Sequence, residues 1–265
     1  MERDPGVEEA VRAMGGVGAL ARGLGIAQPS VSSWRRIPAE RVLEVEALTG
    51  IARAVLRPDL YGQPDRSAGD VDEVELARSN EYALLASLLL RAPDAEALAR
   101  LSRLRGDAAT LLGQAHSALA QAAASASAEA VRREYFDLFV GVGRGEIVPY
   151  ASYYLTGFLN ERPLARLRED MKRLGIERAD GHSDPEDHLG TLCEIMSGFA
   201  GGRFEASAGD QGAFFARHMA PWAGRLFADL ESAPSARLYR AVAKVGRVFI
   251  DIETEGFAME TRQSA

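Results

Sequence analysis

Within five residues, Asp184, Glu186, Asp187 and His188 place three carboxylates and an imidazole around Pro185. Carboxylates only accept hydrogen bonds, and a pair of them matches the planar fork of a guanidinium, so such a cluster suits capture of a basic peptide. The same residues also suit a helix start, with Asp184 as N-cap, Pro185 in the first turn and Asp187 at the third helical position. Both roles stay open at this stage. Tyr150, Tyr153 and Tyr154 are amphipathic enough to pack in a core or to line a groove for an apolar segment. Gly141-Val-Gly-Arg-Gly145 has the composition of a phosphate cradle or of a plain interhelical turn. No Gly-Lys-Ser/Thr follows it, which excludes a P-loop. His182, Asp184, His188 and Cys193 do not make a metal site, because Cys193 falls on an apolar helical stripe. Serine, histidine and aspartate are present, but there is no nucleophile elbow and no HExxH, so no catalytic residue and no enzymatic activity are expected. Near the other end of the chain, Gln28, Ser30, Ser32, Ser33, Arg35 and Arg36 are short hydrogen-bonding groups followed by cations. Such groups can read base edges and hold phosphates.

The elements that must position these groups read as helices. Tyr82, Leu85, Ala86 and Leu89 recur at helical spacing, as do Val131, Tyr135, Leu138 and Phe139. Leu164, Leu167, Met171 and Leu174 repeat the pattern, as do Leu189, Leu192, Cys193, Met196 and Phe199. A last stripe runs through Leu238, Val242, Val245, Phe249 and Ile252. No segment alternates long enough for a strand, and Pro29, Pro38, Pro163 and Pro185 sit where helices would begin. Stripes of this kind bury themselves against one another, so the fold is expected to be all-α. The polar, Gly- and Pro-containing stretch around 62–71 predicts a linker between a domain at 1–61 and a larger one at 72–260. The Ala/Ser-rich run from Ala118 to Ala130 predicts a thin helix, alanine being the best helix former. A helix at Val17 to Leu24, a turn at Gly25 and a second helix from about Pro29 to Arg35 have the layout of a helix-turn-helix, with Val31 and Trp34 facing inward.

Length and composition set limits. The chain has 265 residues, 47% hydrophobic and 26% charged, which is ordinary for a globular protein. One cysteine excludes a disulfide framework and a Cys-based metal centre within one chain. The apolar run from Leu84 to Leu90 is too short to span a bilayer, and the acidic start lacks the apolar core of an export signal. A soluble cytoplasmic protein without stable membrane insertion is therefore expected. Residues 1–66 balance nine basic against nine acidic groups, whereas residues 67–265 carry 22 against 29 and account for the net charge of −7. Residues 20–57 carry six arginines against three glutamates. A slightly basic block before an acidic body points to two tasks with different partners.

Two resemblances sharpen this. Residues 15–61, through Ile37-Pro-Ala-Glu-Arg41, Glu44 to Gly50 and Leu56-Arg-Pro-Asp-Leu60, resemble the YdaS-like branch of the Cro-type helix-turn-helix family, which implies a small helical DNA-binding module. Ala27 departs from it as a poor N-cap, and no cation stands in the first turn of the recognition helix. Residues 78–255 resemble the TorD/DmsD family of molybdoenzyme chaperones. The likeness rests on Arg78 to Leu90, Glu134 to Tyr154, Asp184 to His188 with Glu194-Ile-Met196, and Phe214 to Trp222 with Phe227 to Leu230. Val142 and Val148 stand where the family commonly has proline, and Asp184 where it has glutamate. This resemblance implies a cytoplasmic chaperone without cofactor, GTP being the one nucleotide some members bind. Its partner would be an immature molybdenum-cofactor oxidoreductase of the formate dehydrogenase or dimethyl sulfoxide/trimethylamine N-oxide reductase type, or its twin-arginine leader. The leader would be held by Tyr150, Tyr154, Asp184, Glu186, Asp187 and His188. It also allows a homodimer with the Gly141–Pro149 loop as hinge. The alternative is a DNA-binding regulator whose chaperone-like body senses unmatured enzyme.

Overall fold

The computed structural model describes residues 4–51, 53–57, 73–177, 184–204 and 207–263. The chain divides into two compact units, Met1–Asp70 and Val71–Ala265. The stretch 62–71, read above as a linker, lies outside the described residues. The fold is all-α: among the described residues no strand is formed, and one isolated bridge joins Tyr150 to His188.

In the first unit, helix α1 (Pro5–Ala13) starts cleanly because Asp4 accepts the Gly6 amide and Pro5 stands in the first turn. Gly6 lies so close to the Leu56 backbone of α5 (Arg53–Leu56) that a β-carbon would collide. Helix α2 (Val17–Gly23) turns through Gly25 at φ 64° into α3 (Gln28–Ser32). A 3₁₀ turn, Ala39–Arg41, leads into α4 (Val42–Thr49). Val7, Leu20, Val31, Ile37, Val42 and Leu56 are buried in the core, with Trp34 packed on its edge.

Helix α3 is shorter than the sequence predicts. It ends at Ser32, and Ser33 follows as its C-cap, so Arg35 and Arg36 lie beyond the helix. Three contacts stop it, two of them local. The Ser33 hydroxyl donates to the Ser30 carbonyl at 2.8 Å, the Arg35 carbonyl accepts the Asp4 amide at 2.9 Å, and Pro38 disfavours helical backbone at Ile37.

In the second unit, α6 (Glu73–Leu90) packs along α12 (Leu189–Ala200). Helix α15 (Leu238–Gln263) packs against α8 (Leu111–Ser125) and α14 (Ala223–Ser232). Around these lie α7 (Ala95–Leu101), α9 (Ala128–Tyr135), α10 (Ala151–Thr156), α11 (Arg162–Arg173) and α13 (Ala208–His218). Tyr82, Trp222, Tyr239, Phe215 and Phe227 fill the core, and the stripe of α12 is buried along its length. Each such side chain is worth roughly 1.5–3 kcal/mol of transfer free energy. The Ala/Ser-rich run is two helices rather than one: the chain extends at Ala126, and Ser127 caps α9 by accepting the Ala130 amide. Ile252, placed on the last stripe, is 46% exposed where Leu238, Val242, Val245 and Phe249 are buried.

Long-range polar contacts order these helices. Glu134, buried on α9, accepts the amides of Arg237, Leu238 and Tyr239 at 2.7, 3.2 and 2.8 Å and so caps α15. Helix α9 runs into a π-helical turn, Phe136–Val140, which Gly141 ends at φ 62°. The amides of Gly141, Glu146 and Ile147 then donate to the carbonyls of Phe136, Asp137 and Leu138. The Gly141–Gly145 segment thus serves as a chain reversal.

Candidate functional site

The stretch before α12 does not begin a helix at Asp184, as the capping reading of the sequence required. Helix α12 begins at Leu189, and its cap is His188, whose Nδ1 accepts the Gly190 amide at 3.0 Å. Residues 186–188 are drawn instead against the chain before α10. The Ala151 amide donates to the Asp187 carbonyl at 2.9 Å, and the Leu189 amide donates to the Pro149 carbonyl at 2.8 Å. A pairing across some forty positions overrides the local preference for a helix start.

Once drawn in, Asp187 caps a different helix. Its Oδ2 accepts the Ser152 amide of α10 at 2.8 Å, with Asp187 only 1% exposed. Its Oδ1 is buried and finds no hydrogen-bond partner among the described residues. Glu186 faces the other way, onto Arg168 of α11, which donates to its Oε2 at 2.9 and 2.8 Å. Arg168 flanks the buried Leu164/Leu167/Met171 stripe, one turn beyond Leu164.

His188 is buried and holds its ring 5.0 Å from that of Tyr150, edge to face. Burial outweighs the pull of Asp184 and lowers its pKa to about 4, so the ring is neutral at pH 7. Tyr150 is half-buried, and burial, with Asp184 and Asp187 adding to it, pushes its hydroxyl up to about 12. Tyr154 lies a turn further along α10. Its hydroxyl donates to Asp229 Oδ2 at 2.8 Å, its ring lies 5.3 Å from Trp222, and its carbonyl accepts Arg225. Burial and Asp229 hold its proton on. Tyr153 carries the Arg144 guanidinium 5.2 Å from its ring centre.

The structure thus gathers Tyr150, Asp184, Asp187 and His188 into one group, with Asp184 exposed at its surface. It sends Glu186 toward α11 and Tyr154 toward α14. Sequence reasoning missed Ser152, Arg168, Arg225 and Asp229, the partners that fix these side chains; none carries a local signal. Glu186 is offset by Arg168 and His188 is neutral, which leaves the carboxyl groups of Asp184 and Asp187 beside the Tyr150 hydroxyl. That arrangement is chemically suited to a cationic hydrogen-bond donor. Cys193 lies in the core, where burial raises its thiol. No group of three or more His, Cys, Asp or Glu side chains among the described residues is placed to hold a metal ion; His182 lies outside them.

In the first unit, Gln28, Ser30, Ser32, Ser33, Arg35 and Arg36 are all exposed, and Val31 is buried beneath them. Arg36 pairs with Asp4 at 3.2 Å. Ala27 precedes α3 without a side-chain cap. No described helix is long and apolar enough to cross a membrane.

Residues 105–228 match the family model described as nitrate reductase delta subunit, a span that contains both sides of the Tyr150–His188 bridge. Residues 7–65 match the model described as bacterial toxin YdaS. The chain is similar to chaperone protein TorD of Vibrio cholerae serotype O1, with 28% identity over 126 residues in one strain and 25% in another. These matches cover 44% of this chain and 57% of the relative, so the chain spans little more than half the length of the curated relatives it matches. A crystal structure described as a candidate redox enzyme maturation protein from Archaeoglobus fulgidus aligns with a TM-score of 0.45 at 20% identity, over 66% of this chain and 93% of that one. The chain is thus similar to nitrate reductase delta subunit proteins over 105–228, to chaperone protein TorD over 126 residues, and to YdaS over 7–65.

Proposed function

We propose that this protein is a cytoplasmic maturation chaperone that binds an immature molybdenum-cofactor oxidoreductase, or its twin-arginine leader, without making or breaking bonds. The client would be of the formate dehydrogenase type or of the dimethyl sulfoxide/trimethylamine N-oxide reductase type. The observation that carries the reading is the exposed Asp184 beside Tyr150 and the buried Asp187, whose Oδ1 finds no hydrogen-bond partner among the described residues. Such an oxygen is costly to bury unpaired, and a guanidinium is the donor that suits it best. The acidic body favours a basic leader over a nucleic acid. The test is capture of oxidoreductase precursors on the tagged full chain from its own cells. An Asp184→Arg variant, altered at an exposed position, should retain its helicity and lose the precursor. Capture undiminished by that change counts against the site.

The exposed polar face of α3 favours a second task, DNA binding by the first unit, which would make the protein a regulator that senses unmatured enzyme. A gel shift with upstream DNA of neighbouring genes, with and without leader peptide, tests it. No retardation at low salt removes this reading.

A further inference from the structure

The chain beyond α10 forms a braced turn that directs two large apolar side chains outward. Gly157 ends the helix at φ 86°, and Asn160 follows at φ 58°, the one non-glycine residue with positive φ among those described. Left-handed backbone is costly for a residue with a β-carbon. Two hydroxyl groups hold the turn in place. Thr156 Oγ1 donates to the Ser152 carbonyl at 2.8 Å and lies 3.3 Å from the Phe158 amide, while Ser152 Oγ accepts the Glu161 amide at 3.3 Å. At the tip, Phe158 is 70% exposed and Leu159 46%. The core gains little from either, so their display is what the strained turn provides. The Gly141–Gly145 reversal reaches the same helix, because Arg144 lies over the ring of Tyr153. Val142, two residues before Arg144, is 98% exposed.

Arginines flank these tips. Arg144 sits on the Tyr153 ring, and Arg225 donates to the Tyr154 carbonyl at 2.8 Å. Arg162 and Arg166 stand exposed, one turn apart, at the start of α11. Among the described residues, none of the four has a carboxylate within ion-pair distance. By contrast, Arg78, Arg133, Arg168, Arg217 and Arg247 of the same unit each have one. Of the neighbouring acids, Glu146 accepts Ser235, Asp229 accepts Tyr154, and Glu161 is exposed in the turn. On a unit that is acidic as a whole, guanidinium groups without carboxylates beside an apolar edge reverse the local charge.

Apolar side chains raised on turns, rather than lining a groove, suit a partner that deforms around them. The arginines beside them call for anionic oxygens. The interface of an anionic bilayer supplies both, acyl chains for the tips and phosphates for the guanidinium groups. We propose that this face attaches the protein reversibly to an anionic lipid surface, with Phe158, Leu159 and Val142 entering the acyl boundary. The attachment is peripheral, and it does not depend on the reading of the motif site or of the first unit.

Co-sedimentation of the full chain with vesicles tests it. The protein should pellet with vesicles of phosphatidylglycerol and phosphatidylcholine in equal parts, much less with phosphatidylcholine alone, and high salt should release it. Phe158→Ser combined with Leu159→Ser should lower partitioning about tenfold or more, and Arg144→Gln combined with Arg162→Gln should do likewise. All four positions are exposed, so these variants should melt as the wild type does. Ile252→Ser, an exposed apolar position on α15, should leave partitioning unchanged. Cys193 is buried, so an environment-sensitive dye on Leu159→Cys should label that site alone and brighten with the mixed vesicles. Failure to pellet with the anionic vesicles, or equal binding to phosphatidylcholine alone, overturns the proposal. So does pelleting unaffected by the tip variants, which would assign the contact to another part of the chain, or an equal loss in Ile252→Ser. A wild-type dimer in sedimentation that the Phe158→Ser and Leu159→Ser pair dissociates would assign the face to a second copy and likewise overturn it.

Discussion

Asp187 Oδ2 accepts the main-chain amide of Ser152 at 2.8 Å, a contact that fixes the start of α10 from a position 35 residues away. The residue that looks from its spacing like a cap for the following helix therefore holds the preceding one. The capping contact uses Oδ2 and the proposed binding role uses Oδ1, so the two are separable by substitution.

Asp187→Ala removes the acceptor of a buried amide and should destabilise the second unit by about 2 kcal/mol in urea unfolding. Asp187→Asn keeps a carbonyl oxygen toward Ser152 and should cost less than about 1 kcal/mol, while removing the negative charge. Equal losses for the two variants would mean that the charge, rather than the amide contact, stabilises the fold.

Glu134 offers a parallel case at the start of α15. Three amides converge on one buried carboxylate, so Glu134→Ala should cost about 2–4 kcal/mol and lower the melting temperature by several degrees. Thermal unfolding by circular dichroism checks this. A change under about 0.5 kcal/mol would show that the first turn of α15 finds other acceptors.

His188 sets an acid limit on stability. Its ring stays neutral in the fold down to about pH 4, while in the unfolded chain it takes up a proton near its ordinary value of 6.5. The unfolded state binds more protons between these values, so stability falls as pH drops from 6.5 toward 4. The full effect of this one group is at most about 3 kcal/mol. His218, which burial also lowers despite its contact with Asp170, adds a loss of the same sign. The pKa values of Asp170 and Asp210 are held below their ordinary 3.8, and their contribution disappears only at lower pH. His188→Asn keeps a side-chain cap for α12 and should flatten the curve between pH 6.5 and 4. Unfolding curves of the two proteins across that range make the comparison.

If the first unit binds DNA, Arg35→Ala should weaken binding to all sequences alike and reduce the slope of log K against log salt by about 1. Gln28→Ala should instead reduce discrimination among sites. Filter binding across a salt series distinguishes the two, and a slope unchanged by Arg35→Ala would take that residue off the interface.

The apolar stripes were legible because burial is written locally, at every third or fourth residue. The α12 stripe from Leu189 to Phe199 and the α6 stripe from Tyr82 to Leu89 are buried as the spacing predicts. The start of α12 was not legible, because the force that moves it from Asp184 to Leu189 is the pairing of Tyr150 with His188, far apart in the chain. The same holds for Glu134 over α15, for Arg168 opposite Glu186, and for Asp229 holding Tyr154. At α3 the missed signal was partly local, the Ser33 hydroxyl that competes with the helix and a proline two residues past Arg36, and partly the distant Asp4 amide on the Arg35 carbonyl. In the candidate site, residue types were readable, but which carboxylate is neutralised and which is left one donor short depended on the tertiary fold.

Isothermal titration calorimetry of the full chain with a synthetic twin-arginine leader tests the central claim most directly. A saturable complex is predicted, weakened about tenfold or more by Asp187→Asn and much less by replacing the leader's apolar residues with one another. An affinity that is the same for wild type, Asp187→Asn and Asp184→Arg would contradict the account, as would a leader that loses nothing when its arginines become glutamines.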